Sequence, residues 1–184
     1  MSGDRPDRDR AATANVLGAL ALAVADQLPV DAIPPGGRAD SAAAALSALD
    51  QFLDRPTVDQ LRRVLGLTHS GAVRLLDRLA TAGLVERGSG PDGRSRSVRL
   101  TAAGRRAARR VAERRAGYLD ALLAGLSADE THTLHDLLGR VMARVVEHKD
   151  GGAWICRRCD LRACGRAAGD CPAANAAAEK YGRP

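Results

Sequence analysis

TVDQLRRVLGLTHSGAVRLLDRLATAGLVERGSGPDGRSRSVRLT, residues 57–101, decides how the rest of the chain is read. Thr57 is a good helix N-cap, and Gln60 three residues on completes a capping-box pattern. Leu61, Val64 and Leu65 follow at helical spacing, and Gly66 supplies a stop. Thr68 caps a second helix whose apolar positions are Ala72, Val73, Leu75, Leu76 and Leu79, with Gly83 at its end. Two short helices joined by a glycine-containing turn form a helix-turn-helix unit. His69, Ser70, Arg74 and Arg78 lie mostly off the apolar stripe of the second helix and face outward. Two strand-like pieces follow, Leu84–Arg87 and Ser97–Leu100, the second with Val98 and Leu100 alternating against polar neighbours. The link between them contains Gly88, Gly90, Pro91, Asp92 and Gly93, so it must turn, and it carries Arg94 and Arg96. A hairpin with a basic tip directly after a helix-turn-helix is a winged helix.

At the wing the chain resembles the MarR family of transcription regulators. Asp92, Arg94, Ser95, Val98, Leu100 and Thr101 stand as in that family's D-x-R-S-x-x-V-x-L-T signature, and Asp77-Arg78-Leu79 followed by Gly83-Leu84-Val85 also fits. By motif and helix order the resemblance spans roughly residues 12 to 149 and leaves out the C-terminal tail. It implies a homodimer in which the first helix and the last two helices of the fold intertwine between protomers. It also implies that Asp92 orients the wing and that Arg94 is its main DNA contact.

Charge distribution points to the same stretch. The net charge of +6 is the residue of opposed segments: residues 1–54 carry −4, 55–115 carry +10, 116–150 carry −3 and 151–184 carry +3. A basic module set between acidic helices suits a polyanion, with the acidic helices held away from it. Aromatic residues are only 2% of the chain, so the core must be built from Leu, Val and Ala on closely packed helices. No apolar run reaches the length of a membrane span, and the charged start from Asp4 to Arg10 lacks a signal-peptide pattern, so a cytoplasmic protein is expected.

The expected fold is mainly α with a small β wing: a winged helix-turn-helix with flanking dimerisation helices. Residues 1–10 are expected to be disordered, and residues 11–54 to hold two supporting helices, Ala11–Leu28 and Ala39–Leu53. The DNA-binding unit occupies 55–101 and the dimerisation helices 102–149. Thr101 caps the first of these, and Ser127 with Glu130 forms a capping box for the second. Leu134, Leu138, Val141 and Val145 form its nearly coiled-coil stripe, which suits either packing within one chain or a dimer seam.

Recognition roles divide by residue. Thr68, His69 and Ser70 at the start of the second helix suit the major groove and adjacent phosphates. Arg74, one turn on, can fork onto guanine. Arg78 can reach DNA or pair with Asp77. Asp92, Arg94 and Arg96 belong to the wing, whose arginine suits a narrow minor groove. Double-stranded DNA with a pseudo-palindromic operator, a second copy of the chain and a small-molecule effector are the expected partners.

The tail, residues 150–184, departs from the family pattern. Cys156, Cys159, Cys164 and Cys171 are spaced C-x2-C-x4-C-x6-C and hold all the cysteines of the chain. Four close thiols in a reducing compartment suit a metal site, zinc or alternatively an iron–sulfur cluster, with redox thiols as a further reading. A full set of four thiols leaves no open position on a tetrahedral ion, and no nucleophile–base constellation stands elsewhere, so no enzyme is expected. The competing functions are a winged helix used as a protein-interaction module and an iron–sulfur redox-sensing regulator.

Overall fold

The caps around the helix-turn-helix do locally what their sequence dictates. Thr57 Oγ1 accepts from the Gln60 backbone while the Gln60 side chain accepts from the Thr57 N–H at 2.8 Å, which starts α3 (Val58–Leu65). Gly66 follows at φ 66° and returns the chain into Thr68, whose hydroxyl accepts from the Gly71 N–H and starts α4 (His69–Thr81). Strands β1 (Val85–Ser89) and β2 (Arg96–Leu100) pair antiparallel, with Val85 opposite Leu100 and Glu86 opposite Arg99. A bridge between Thr57 and Ser97 ties the start of α3 to the wing. The computed structural model describes residues 4–27, 39–89, 96–149 and 154–182.

Around this unit run α1 (Asp4–Gln27), α2 (Ala39–Gln51), α5 (Ala102–Leu123), α6 (Ala128–His148) and α7 (Pro172–Tyr181). The capping box of Ser127 and Glu130 is formed, and the Ser127 hydrogen bonds hold the Glu130 carboxyl below its usual range. Leu46, Leu61, Leu75, Leu76, Leu79 and Val98 are the largest fully buried side chains. The core therefore sits where α2 crosses the helix-turn-helix and the wing. α2 is buried over nearly its whole described length from Ala42 to Ala48, because α3, α5 and the wing all pack on it. Alanine lets those elements approach closely, and a helix apolar all round belongs inside. The expected end at Leu53 moves back to Gln51.

Two expectations change. The helix begins at Asp4, inside the stretch expected to be disordered; Asp7 and Arg10 stand three residues apart, a spacing at which opposite charges support a helix. The tail is also more regular than its composition suggested. Ile155–Arg158 forms a 3-10 turn packed on α2, and α7 lies along α6. Cys171-Pro172 opens α7, with proline in its first turn, where a missing N–H costs nothing.

Thr101 joins the wing to α5. Its hydroxyl donates to the Gly83 carbonyl at 2.6 Å and accepts from the Gly104 N–H at 2.9 Å. α5 thus starts hard against the base of the hairpin, and a Cβ on Gly104 would lie 1.9 Å from the Leu84 carbonyl oxygen.

Candidate nucleic-acid interface and the cysteine tail

The two faces of α4 separate as its sequence implies. Ala72, Leu75, Leu76 and Leu79 are buried, while Thr68, His69, Ser70, Arg74 and Arg78 are exposed along one side. The Thr68 hydroxyl is engaged in the cap, which leaves the early backbone N–H groups of α4 and the Ser70 side chain at the open end of the helix. Asp77 pairs with Arg87 of β1 at 2.7 Å, and Arg87 also donates to the Val73 carbonyl at 3.4 Å. Asp77 is therefore the strut that fixes α4 to the wing, and Arg78 keeps its outward position. Sequence reading missed Arg87; its place one strand away from an acidic residue on α4 is a long-range fact.

Other arginines are partly committed inside the chain. Arg62 and Arg63 both bond the Asp59 carboxylate, and those bonds hold Asp59 below its usual range. Arg105 donates to the Leu100 carbonyl at 3.1 Å, and Arg99 pairs with Glu86 across the strands at 3.0 Å. Asp92 and Arg94 lie outside the described residues; Arg96 stands on β2, with its side chain also outside them. The α6 positions Leu138, Val141 and Val145 are exposed and Leu134 is half-buried, whereas Val146 is buried under α7.

The four cysteines occupy one neighbourhood without meeting at a point. Among the described residues, no group of three or more His, Cys, Asp or Glu side chains is gathered so as to hold a metal ion. Cys156 and Cys159 hydrogen-bond through sulfur; that bond, ahead of the nearby Arg166 guanidinium, brings the Cys156 thiol down to about 6 and pushes Cys159 up. Cys164 and Cys171 belong to the small apolar cluster between α6 and α7.

The tail is anchored at both ends by side chains that the sequence did not single out. Gln51 Nε2 donates to the Cys159 carbonyl at 2.7 Å, and its Oε1 accepts from the Leu161 N–H at 2.7 Å. The Trp154 N–H donates to the Val64 carbonyl at 2.8 Å, and the Trp154 ring stacks on Phe52 at 5.8 Å. At the other end Lys180 Nζ donates to the carbonyls of Val146, Glu147 and Lys149, at 3.2, 2.7 and 2.9 Å, and so caps α6.

A short helix pair on a buried crossing helix, followed by a hairpin and an exposed arginine-bearing helix face, defines a winged-helix DNA-binding protein. The chain belongs to the MarR family. The family's model matches residues 37–95. Wild-type MarR from E. coli is 31% identical, with 55% of this chain and 76% of that one covered and a TM-score of 0.50. A probable transcriptional regulator from Pseudomonas aeruginosa is 27% identical, covering 67% and 95% at a TM-score of 0.51. A MarR family protein from Bacillus stearothermophilus shares the fold at a TM-score of 0.63 and 22% identity, over 76% of this chain and 96% of that one. No curated protein sequence matches the chain. The protein is thus a MarR-family DNA-binding transcriptional regulator, and no described helix is long and apolar enough to cross a membrane.

Proposed function

We propose that the protein acts as a homodimer on a short pseudo-palindromic operator, as a repressor released by a small molecule. The observation that carries this reading is the outward face of α4, where Ser70, Arg74 and Arg78 stand exposed on a helix locked to the wing by Asp77 and Arg87. In this reading α4 enters the major groove, Arg74 reads guanine, and Arg94 of the wing reaches the neighbouring minor groove. Thr68, His69 and Arg96 contribute phosphate contacts, and Asp92 orients the wing. Such a regulator works in the cytoplasm, where its operator lies, and needs no catalytic chemistry.

The dimer reading rests on apolar surface. Leu137, Leu138, Val141 and Val145 of α6 are between 40% and 50% exposed, and Val16, Leu17, Leu20 and Leu22 of α1 are more than a third exposed. A second copy of the chain would cover both stripes by two-fold symmetry. For the effector, an open groove of about 610 Å³ between α2 and α5 is lined by Asp50, Arg109, Glu113, Asp160 and Arg162, which suits a polar molecule with both donors and acceptors.

Duplexes selected from a random pool by the purified protein should share a pseudo-palindrome. Their affinity should fall steeply with salt, roughly 10³- to 10⁵-fold between about 50 and 200 mM if six to ten phosphates are contacted. Equal affinity for unselected DNA in competition would sink the reading. Arg74→Ala and Arg94→Ala should each weaken binding by about 5- to 150-fold, the equivalent of roughly 1–3 kcal/mol. The Arg74→Ala variant should keep the wild-type thermal transition, since an exposed arginine side chain on α4 buries little.

A further inference from the structure

We propose that Cys156 and Cys159 form a peroxide-reactive dithiol: a hydroperoxide oxidises them to one intrachain disulfide, with Cys156 as the attacking sulfur and Cys159 as the one that closes the bond. The backbone sets the pair up. Ile155–Arg158 is a 3-10 turn, and the Cys159 N–H closes it on the Cys156 carbonyl at 3.0 Å. In that geometry side chains three residues apart lie one above the other, with their Cα atoms about 6 Å apart. A disulfide spans roughly 4.4–6.8 Å between Cα atoms. The two sulfurs are already in hydrogen-bond contact, so the bond asks for side-chain rotation alone.

The neighbours of the two sulfurs differ, and the difference assigns their roles. Arg166 Nη1 donates to the Cys156 sulfur at 3.9 Å. A guanidinium beside a sulfur favours the thiolate, which is the form that attacks. Gly165 brings that arginine round: its φ of 63° turns the chain, and its carbonyl accepts from the Asp170 N–H at 3.0 Å. The Cys159 sulfur instead donates to the Ile155 carbonyl at 3.9 Å, an arrangement that holds its proton in place. Both cysteines are half-buried, which leaves room for a molecule as small as a peroxide. Cys164 and the buried Cys171 are engaged elsewhere, in the apolar cluster between α6 and α7, and the Cys164 sulfur donates to the Leu161 carbonyl at 3.6 Å.

The peroxide is the only oxidant the chemistry needs. The Cys156 thiolate attacks the outer oxygen, the O–O bond breaks, and the departing hydroxide or alkoxide takes up the proton that Cys156 gave up. Cys156 is left as a sulfenic acid. The Cys159 sulfur then attacks the Cys156 sulfur, the S–O bond breaks, and the oxygen leaves with the Cys159 proton as water. Two electrons pass from the two thiols to the peroxide bond. Gln51 holds this turn to the end of α2, and the Trp154 N–H holds it to α3, so the reactive pair is carried on the DNA-binding unit.

Each cysteine falls in its own tryptic peptide: residues 150–157, 159–162, 163–166 and 167–180. Reduced full-length protein is treated with a stoichiometric amount of hydrogen peroxide, blocked with N-ethylmaleimide and digested. The 150–157 and 159–162 peptides should emerge joined, with Cys164 and Cys171 alkylated, and dithiothreitol should undo the link. Cys159→Ser should hold the sulfenic acid on Cys156, where dimedone traps it. Arg166→Gln should slow alkylation of Cys156 by iodoacetamide about tenfold with circular dichroism unchanged, and Arg166→Lys should recover most of that rate. Four thiols that survive the peroxide overturn the dithiol, and links to Cys164, Cys171 or a second chain overturn the pairing. Dimedone on another cysteine of the Cys159→Ser chain overturns the order of attack, and an unchanged alkylation rate in Arg166→Gln overturns the arginine's part in it. Should Cys159→Ser not fold, the peptide map of the unmodified chain decides. None of these readouts involves DNA, so they stand apart from operator binding.

Discussion

A Leu138→Asp, Val141→Asp double variant is expected to run as a monomer, and the unmodified protein as the proposed dimer. Both residues lie on the exposed apolar side of α6 with Leu137 and Val145, while the buried Val146 points to α7 on the other side. In a two-fold interface each substitution appears twice, so every carboxylate is forced into apolar surroundings beside its symmetry mate. Burying unpaired charge in that way is strongly unfavourable. The tail should be untouched, because α7 packs on the opposite side of α6. Size-exclusion chromatography with light scattering reads the mass, and circular dichroism the helicity. A variant that stays dimeric with native helicity would place the interface on another face.

Gly104→Ala should cost close to the upper end of what overpacking causes, roughly 3 kcal/mol. The added methyl would meet the Leu84 carbonyl oxygen at 1.9 Å and its carbon at 2.9 Å, and both are backbone atoms that no rotamer change can move. Leu84 O also accepts from the Thr101 N–H at 3.1 Å, so displacing it loosens the joint between wing and α5. For a chain of this size the loss corresponds to a fall in Tm of about 10 °C. Gly117→Ala is the control: its Cβ meets nothing within 4 Å, and alanine is the better helix former. Equal transitions for Gly104→Ala and the unmodified protein would refute the close approach.

What could be read in the sequence is what is decided within a few residues. The capping boxes of Thr57 with Gln60 and Ser127 with Glu130, the left-handed Gly66 and the alternation of Val98 and Leu100 are local events, and each appears where its residues stand. The outward set on α4 follows from helical periodicity for the same reason. The depth of α2 does not, because a run of alanines has no apolar side to detect and its burial depends on what packs around it. α7 was missed on similar grounds: Pro172–Tyr181 is alanine-rich without a stripe, and its hold on α6 comes from Lys180 reaching the end of that helix. The Gln51 clamp joins residues 108 positions apart, which no local pattern encodes.

The first helix carries a consequence for the protein in a cell. Every described side chain of α1 from Asp7 to Gln27 is exposed except the half-buried Val24. Isolated helices of this kind are marginal in water, and in the proposed dimer the order of α1 draws on surface supplied by the second copy. Its folding is then a second-order event whose extent rises with the number of copies present. In the proposed dimer, dilution would therefore fray α1 before it touched the buried core around α2.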